Sequence, residues 1–176
     1  ADALALATLT YVDFHALARP RSPNGCLLRE VAQASAIRAL YDRAMVTDHN
    51  CALLRSLLRA AGGSPRFLSL RVRDAVTRIG VQPLAQFGAV TCCDEAGAAV
   101  VVFRGTDGTA VGWAEDAQFG LDFPTIAQLW AARYLRYAAG RAPGPVTVIG
   151  HSKGGNLALY AAAATRVPTL DHVYSL

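Results

Sequence analysis

Lysine is almost missing from this chain of 176 residues: its basic residues are arginines, with the single exception of Lys153. Long apolar runs are missing as well. None approaches the roughly 20 residues that a membrane-spanning helix needs, so stable insertion into a bilayer is not expected. The four cysteines, Cys26, Cys51, Cys92 and Cys93, form no CxxC pair, and no histidine stands at zinc-finger spacing. A metal site is therefore not expected. Cys92 and Cys93 are neighbours in a strand-like run, where successive side chains point to opposite faces, so they are poorly placed to bridge each other. A reduced, cytoplasmic setting is expected on that ground. Basic clusters are short (Arg19/Arg21, Arg71/Arg73) and lack interleaved aromatics, which argues against a nucleic-acid partner. The net charge of +4 then describes an ordinary solvated surface.

What is present is apolar substance. Hydrophobic residues make up 53% of the chain and charged residues 17%, which excludes a disordered polypeptide. The length fits one domain, able to bury roughly 70% of its unfolded surface. No basic n-region opens the chain, so no signal peptide is expected. The final residues read as a strand just entered, and the expectation is a partial domain.

Residues 1–63 read as a helical part. Ala3 to Phe14 is apolar with small residues and suits a helix. Apolar positions from Leu27 to Met45 recur at helical spacing. A further helix is expected from Asp48, as N-cap, to the Gly62-Gly63 stop. His15 and His49 read as surface or capping residues. From residue 64 the pattern changes. Ala85–Cys93 and Ala98–Phe103 are β-rich runs joined by Asp94-Glu95-Ala96-Gly97, the signature of a hairpin. Thr125–Ala139 is again helical, with Pro124 suited to its first turn. Pro145–Gly150 is a short apolar strand, Leu157–Arg166 an Ala-rich helix and Val173–Leu176 a second strand. Together they predict a βαβ unit, and with it a parallel sheet.

The chemistry is concentrated between that strand and helix. Gly150-His151-Ser152-Lys153-Gly154 matches G-x-S-x-G in the context that gives the pattern meaning. A serine on so tight a turn presents its hydroxyl at the C-terminal edge of the sheet. The required backbone conformation costs on the order of 1–3 kcal/mol. The Lys153 N–H, at the positive end of the following helix, points where a tetrahedral oxyanion would form. A phosphate-binding loop is the rival for such a turn, but G-x-x-x-x-G-K-[ST] is not matched. The Lys153 side chain either pairs with an acid such as Asp107 or Asp116 or points into solvent. His151 reads as packing or orienting the turn. A second constellation, Phe103-Arg-Gly-Thr-Asp107, ends the second hairpin strand. There Thr106 can bring an N–H and a hydroxyl beside the nucleophile, although spacing alone makes it a turn residue.

FRGTD, GWAED (Gly112–Asp116) and GHSKGGNLALYAA (Gly150–Ala162) together resemble a bacterial domain-of-unknown-function family, the Mbeg-like branch of the α/β-hydrolases, related to class 3 lipases. The opening LALATLTYVDF (Leu4–Phe14) is similar to that family's N-terminal helix. The resemblance implies an α/β-hydrolase fold of three layers with a mostly parallel central sheet. It also implies Ser152 as nucleophile, with Lys153 and Thr106 as the two oxyanion donors. It supplies no substrate.

In this fold the acid and then the histidine follow the serine. Asp171 and His172 are the only such pair after Ser152, and they are expected in the loop that leads into the next parallel strand. That places them at the opposite edge of the sheet, roughly 16 Å away. The triad's acid and base are therefore expected beyond Leu176. The expected activity is that of a serine hydrolase of lipase or esterase type on a small acyl substrate, without cofactor or metal. Thioesterase or acyltransferase chemistry would use the same residues. The alternative is a non-catalytic α/β-hydrolase-fold binding module. Asp107, Trp113 and His151 are candidates for contact with substrate. Trp113, Phe119 and Phe123 could line an acyl pocket or lid, but plain core is the preferred reading of these aromatics. The oligomeric state is left open.

Overall fold

Two runs rich in β-branched and aromatic residues form the centre of a sheet, and what joins each strand to the next decides its direction. The computed structural model describes residues 1–12, 14, 25–33 and 48–176, with the backbone alone at Asp48 and His49. The described elements are α1 (Asp2–Leu9), β1 (Cys26–Leu27), α2 (Leu28–Gln33), α3 (Asp48–Gly63), β2 (Arg71–Val81) and β3 (Leu84–Cys93), followed by β4 (Ala99–Phe103), α4 (Ala110–Gln118), α5 (Ile126–Ala139), β5 (Val146–Gly150), α6 (Lys153–Ala164) and β6 (Leu170–Ser175). The six strands lie side by side in chain order. A two-residue connection joins β2 to β3 and a short turn joins β3 to β4, so both pairs are antiparallel. In the latter turn Gly97 takes φ +89°, and the Asp94 carboxylate accepts the Ala98 N–H at 2.9 Å. Helical crossovers carry β4 to β5 and β5 to β6, and these pairs are parallel.

The protein is thus α/β with a mixed sheet, and the expectation of a mostly parallel one is corrected. Tight connections outnumber helical ones on the N-terminal side of β4, and β1 also pairs antiparallel with β2. Two apolar clusters sandwich the sheet. On one face Leu6, Leu9, Leu28, Leu54 and Leu58 from α1–α3 pack on Val72, Val90, Val102 and Ile149. On the other, Ala131, Leu135 and Ala138 of α5 and Leu157 and Ala161 of α6 cover Phe87, Val101, Phe103 and Val148. Each fully buried leucine here contributes roughly 1.5–3 kcal/mol. Cys92 and Cys93 face opposite clusters, as period-two alternation requires.

Several local expectations shift. Strand β2 and helix α4 went unread, because Arg71–Val81 mixes charged and apolar residues without clean alternation. Leu27 belongs to β1, and α2 runs from Leu28 to Gln33; the rest of the helix expected to Met45 lies outside the described residues, as does His15. Thr125 is the N-cap of α5, in a capping box with Gln128, so Pro124 stands before the helix rather than in its first turn. Helix α6 begins four residues earlier than expected, at Lys153. No helix among the described residues is long and apolar enough to cross a membrane.

Candidate active site

The turn from β5 to α6 is closed by the residues that lack side chains. A Cβ on Gly150 would collide with the Gly154 carbonyl, and one on Gly154 would collide with the Phe103 carbonyl of β4. With both positions reduced to glycine, Ser152 adopts φ 57° and ψ −126° as the N-cap of α6. It is one of two described non-glycine residues with positive φ. Its N–H donates to the Leu176 carbonyl at 2.9 Å, while its side chain is exposed. Further into the first turn of α6, Gly154 donates to His151, and Gly155 and Asn156 donate to the Ser152 carbonyl. The Lys153 N–H has no acceptor among the described residues, as is normal for the first amide of a helix.

The FRGTD segment arrives beside this turn at the end of β4, which pairs with β5 up to Phe103 opposite Gly150. Gly105 lies against the serine: a Cβ there would stand 3.6 Å from the Ser152 Cβ, 2.7 Å from the His151 carbonyl and 2.8 Å from the Tyr11 hydroxyl. Thr106 follows. Its hydroxyl donates to Asp116 Oδ2 at 2.6 Å, and its carbonyl accepts the Tyr11 hydroxyl at 2.8 Å. Among the described residues the Thr106 N–H has no acceptor. Burial pushes the Tyr11 phenol above its ordinary pKa, partly offset by the Arg104 guanidinium. Tyr11 therefore stays a neutral donor at neutral pH.

The side chain of Lys153 turns inward. It is 2% exposed and donates to the Gln86 carbonyl (3.0 Å), to the Gln86 side-chain oxygen and to Glu115 Oε2 (3.0 Å). Asp116 Oδ1 lies 3.8 Å from the ammonium. Glu115 is fully buried and its Oε2 also accepts the Gln86 N–H at 2.8 Å. Of the two acids expected as partners, Asp116 is near and Asp107 makes no ion pair with the lysine. The principal partner is Glu115, which sequence reasoning missed although it stands inside the GWAED motif. Burying an ammonium is tolerable only with such a full set of acceptors. The effect is to bolt α4 and β3 to the base of the turn.

The remaining expected residues fall as follows. Asp107 is buried, its Oδ1 accepting the N–H and hydroxyl of Thr109, the N-cap of α4. His151 is exposed, so of the two expected roles, packing or orienting the turn, packing is corrected. Trp113 and Phe123 are 66% and 78% exposed, so plain core is the wrong reading for both; Phe119 alone of the three packs against a core cluster. Phe123 meets the Tyr160 ring edge-on at 5.6 Å, and Leu121 beside it is also exposed. Asp171 and His172 lie in β6 rather than in a loop, paired with each other at 2.9 Å. His172 stands opposite Thr147, near the start of β5, and so at the sheet edge away from Ser152. Tyr11 was missed as a site residue. The signal was its place in TYVDF, a segment noted for its helical character and its family resemblance but not for side-chain chemistry.

Residues 61–175 match the Mbeg1-like family, and the chain belongs to it. No curated protein and no solved structure matches the chain.

Proposed function

We propose that the protein is a serine hydrolase of lipase or esterase type, built on an α/β-hydrolase-like scaffold, in which Ser152 attacks an ester or related acyl carbonyl. One observation carries this reading: an exposed serine held at φ 57° on a strand-to-helix turn, with uncommitted amides beside it. Strain of about 1–3 kcal/mol at a solvent-facing hydroxyl has no packing purpose. The Lys153 and Thr106 N–H groups hold the oxyanion of the tetrahedral intermediate. Each such donor supplies about 2.7–4 kcal/mol of transition-state stabilisation. The Thr106 hydroxyl, committed to Asp116, fixes the loop. An imidazole must take the serine proton, return it to the leaving group and activate water for deacylation. His172, at the far edge, is not that group, and the proposal assigns acid and base to residues outside 1–176. The apolar side chains of Trp113, Leu121 and Phe123 offer the acyl part a surface.

A serine-directed fluorophosphonate probe tests the reading. Labelling of the full-length protein that disappears in Ser152→Ala is the expected result. No labelling of the unmodified protein overturns it in favour of a non-catalytic binding module.

A further inference from the structure

The other non-glycine residue with positive φ is Asp74, at φ 55° in the middle of β2. It sits where the β2–β3 register breaks: Arg73 is opposite Thr91, but the residue opposite Ala89 is Val76. Unbroken pairing would put Ala75 there. One extra residue in β2 exchanges the faces of everything that follows it. Val72 accordingly packs with the α1–α3 cluster, whereas Val76, at a position of the same parity, packs with the α5–α6 cluster. Arg78, opposite Phe87, is carried to that second face too. The conformation is clamped from all sides. The Asp74 carboxylate lies 3.5 Å from Arg73 Nε and 3.6 Å from Arg141 Nε, and Oδ1 accepts the Tyr137 hydroxyl at 3.2 Å. Its carbonyl accepts the Tyr134 hydroxyl at 2.9 Å.

The shifted face borders an open, solvent-facing cavity of about 250 Å³ between Val76, Arg78 and Phe87 of the sheet and Trp130, Arg133 and Tyr137 of α5. The Arg78 guanidinium stands 5.2 Å from the Trp130 ring centroid. No acidic side chain among the described residues lines the space. Among the described residues no carboxylate pairs with Arg78 or Arg133, and Asp74, the neighbouring acid, is already engaged by two other arginines. Two cations thus share one concave, ring-walled space without a counter-charge, an arrangement relieved by an incoming anion.

We propose that this cavity binds a small organic anion, with a flat apolar body against Trp130 and Tyr137 and a carboxylate or phosphoryl head group between Arg78 and Arg133. The volume falls below the roughly 300–1,000 Å³ of larger ligand sites and suits one or two fused rings. The site is separate from the serine, and its occupancy does not depend on the proposed hydrolysis.

Calorimetric titration of the intact protein tests it, with 2-naphthoate and phenylphosphonate as anionic probes and 2-naphthamide as the neutral counterpart. At least one anion is expected to bind, about tenfold or more tighter than the amide, and Arg78→Met and Arg133→Met are each expected to weaken it about tenfold. Both arginines are exposed, so these variants fold, and unchanged thermal unfolding verifies it. Preference for the phosphonate or for the carboxylate identifies the head group and supports the site either way. No binding of either anion, equal binding of the amide, or indifference to both arginine substitutions overturns the proposal.

Discussion

Ser152 and Asp74 share nearly the same φ, 57° and 55°, yet their surroundings are opposites. At Asp74 nearly every polar group is engaged: two arginines face the carboxylate and two tyrosines reach the residue's oxygens. At Ser152 the backbone is engaged and the hydroxyl is left in solvent. A strained backbone therefore does not by itself identify reactive chemistry. At Asp74 the strain changes which face a strand presents, whereas at Ser152 it lifts one hydroxyl clear of the sheet. The chemistry follows from what the strained residue leaves unpaired.

Removing the clamp beneath the serine is expected to have the largest effect on stability. Lys153→Met leaves Glu115 buried without its cation and is expected to cost about 3–5 kcal/mol in urea unfolding. Adding Glu115→Gln should recover much of that loss. Recovery absent from the double variant would mean that the pair is not the lysine's structural role. Glycine at the two strained positions then separates them directly. Ser152→Gly relieves the turn and is expected to raise stability by roughly 1 kcal/mol while abolishing fluorophosphonate labelling. Asp74→Gly relieves the same φ but strips the acid from Arg73 and Arg141, so a net loss of about 1–2 kcal/mol is expected. Equal signs for the two glycine variants would break the comparison.

Alkaline pH offers a smaller, graded test. Burial pushes the Cys92 thiol up to about 12 and raises the Tyr134 phenol, whereas in the unfolded chain these groups titrate near 9.0 and 10.0. Above those values the unfolded state has released protons that the folded state still holds. Stability contributed by these groups is therefore full below about pH 9 and falls as pH rises beyond it. Urea midpoints between pH 7 and pH 11 should decline only in the upper half of that range. The smallest stability effect is expected at the exposed rim. Trp113→Ala should change unfolding by less than about 0.5 kcal/mol, yet raise KM for esters with apolar acyl groups if Trp113 touches substrate. An unchanged KM removes it from the site.

The parts legible in advance are those governed by a few consecutive residues. The β3–β4 hairpin was readable from Asp94 to Gly97, and the GHSKGG turn from glycines whose missing side chains admit the reversal. Helix α5 was readable from Thr125 to Ala139 with its start one residue early, while the capping box of Thr125 and Gln128 went unread. Less legible was β2, whose bulge breaks the alternation that identifies a strand. Helix α4 was hidden because its inward face carries Glu115 and Asp116, which a periodicity reading takes for a solvated face. Both acids face inward because Lys153 and Thr106 receive them there.

By itself, then, the sequence determined the backbone path of the serine turn and of the hairpin beside it, because local sterics and short-range hydrogen bonds act within a few residues. Only the tertiary structure decided the partners: Lys153 with Glu115 across 38 residues, with Gln86 across 67, and Tyr11 with Thr106 across 95. It also decided that Arg78 shares a cavity with Arg133. Such meetings depend on strand register and helix packing. A single extra residue in β2 is enough to redirect Arg78.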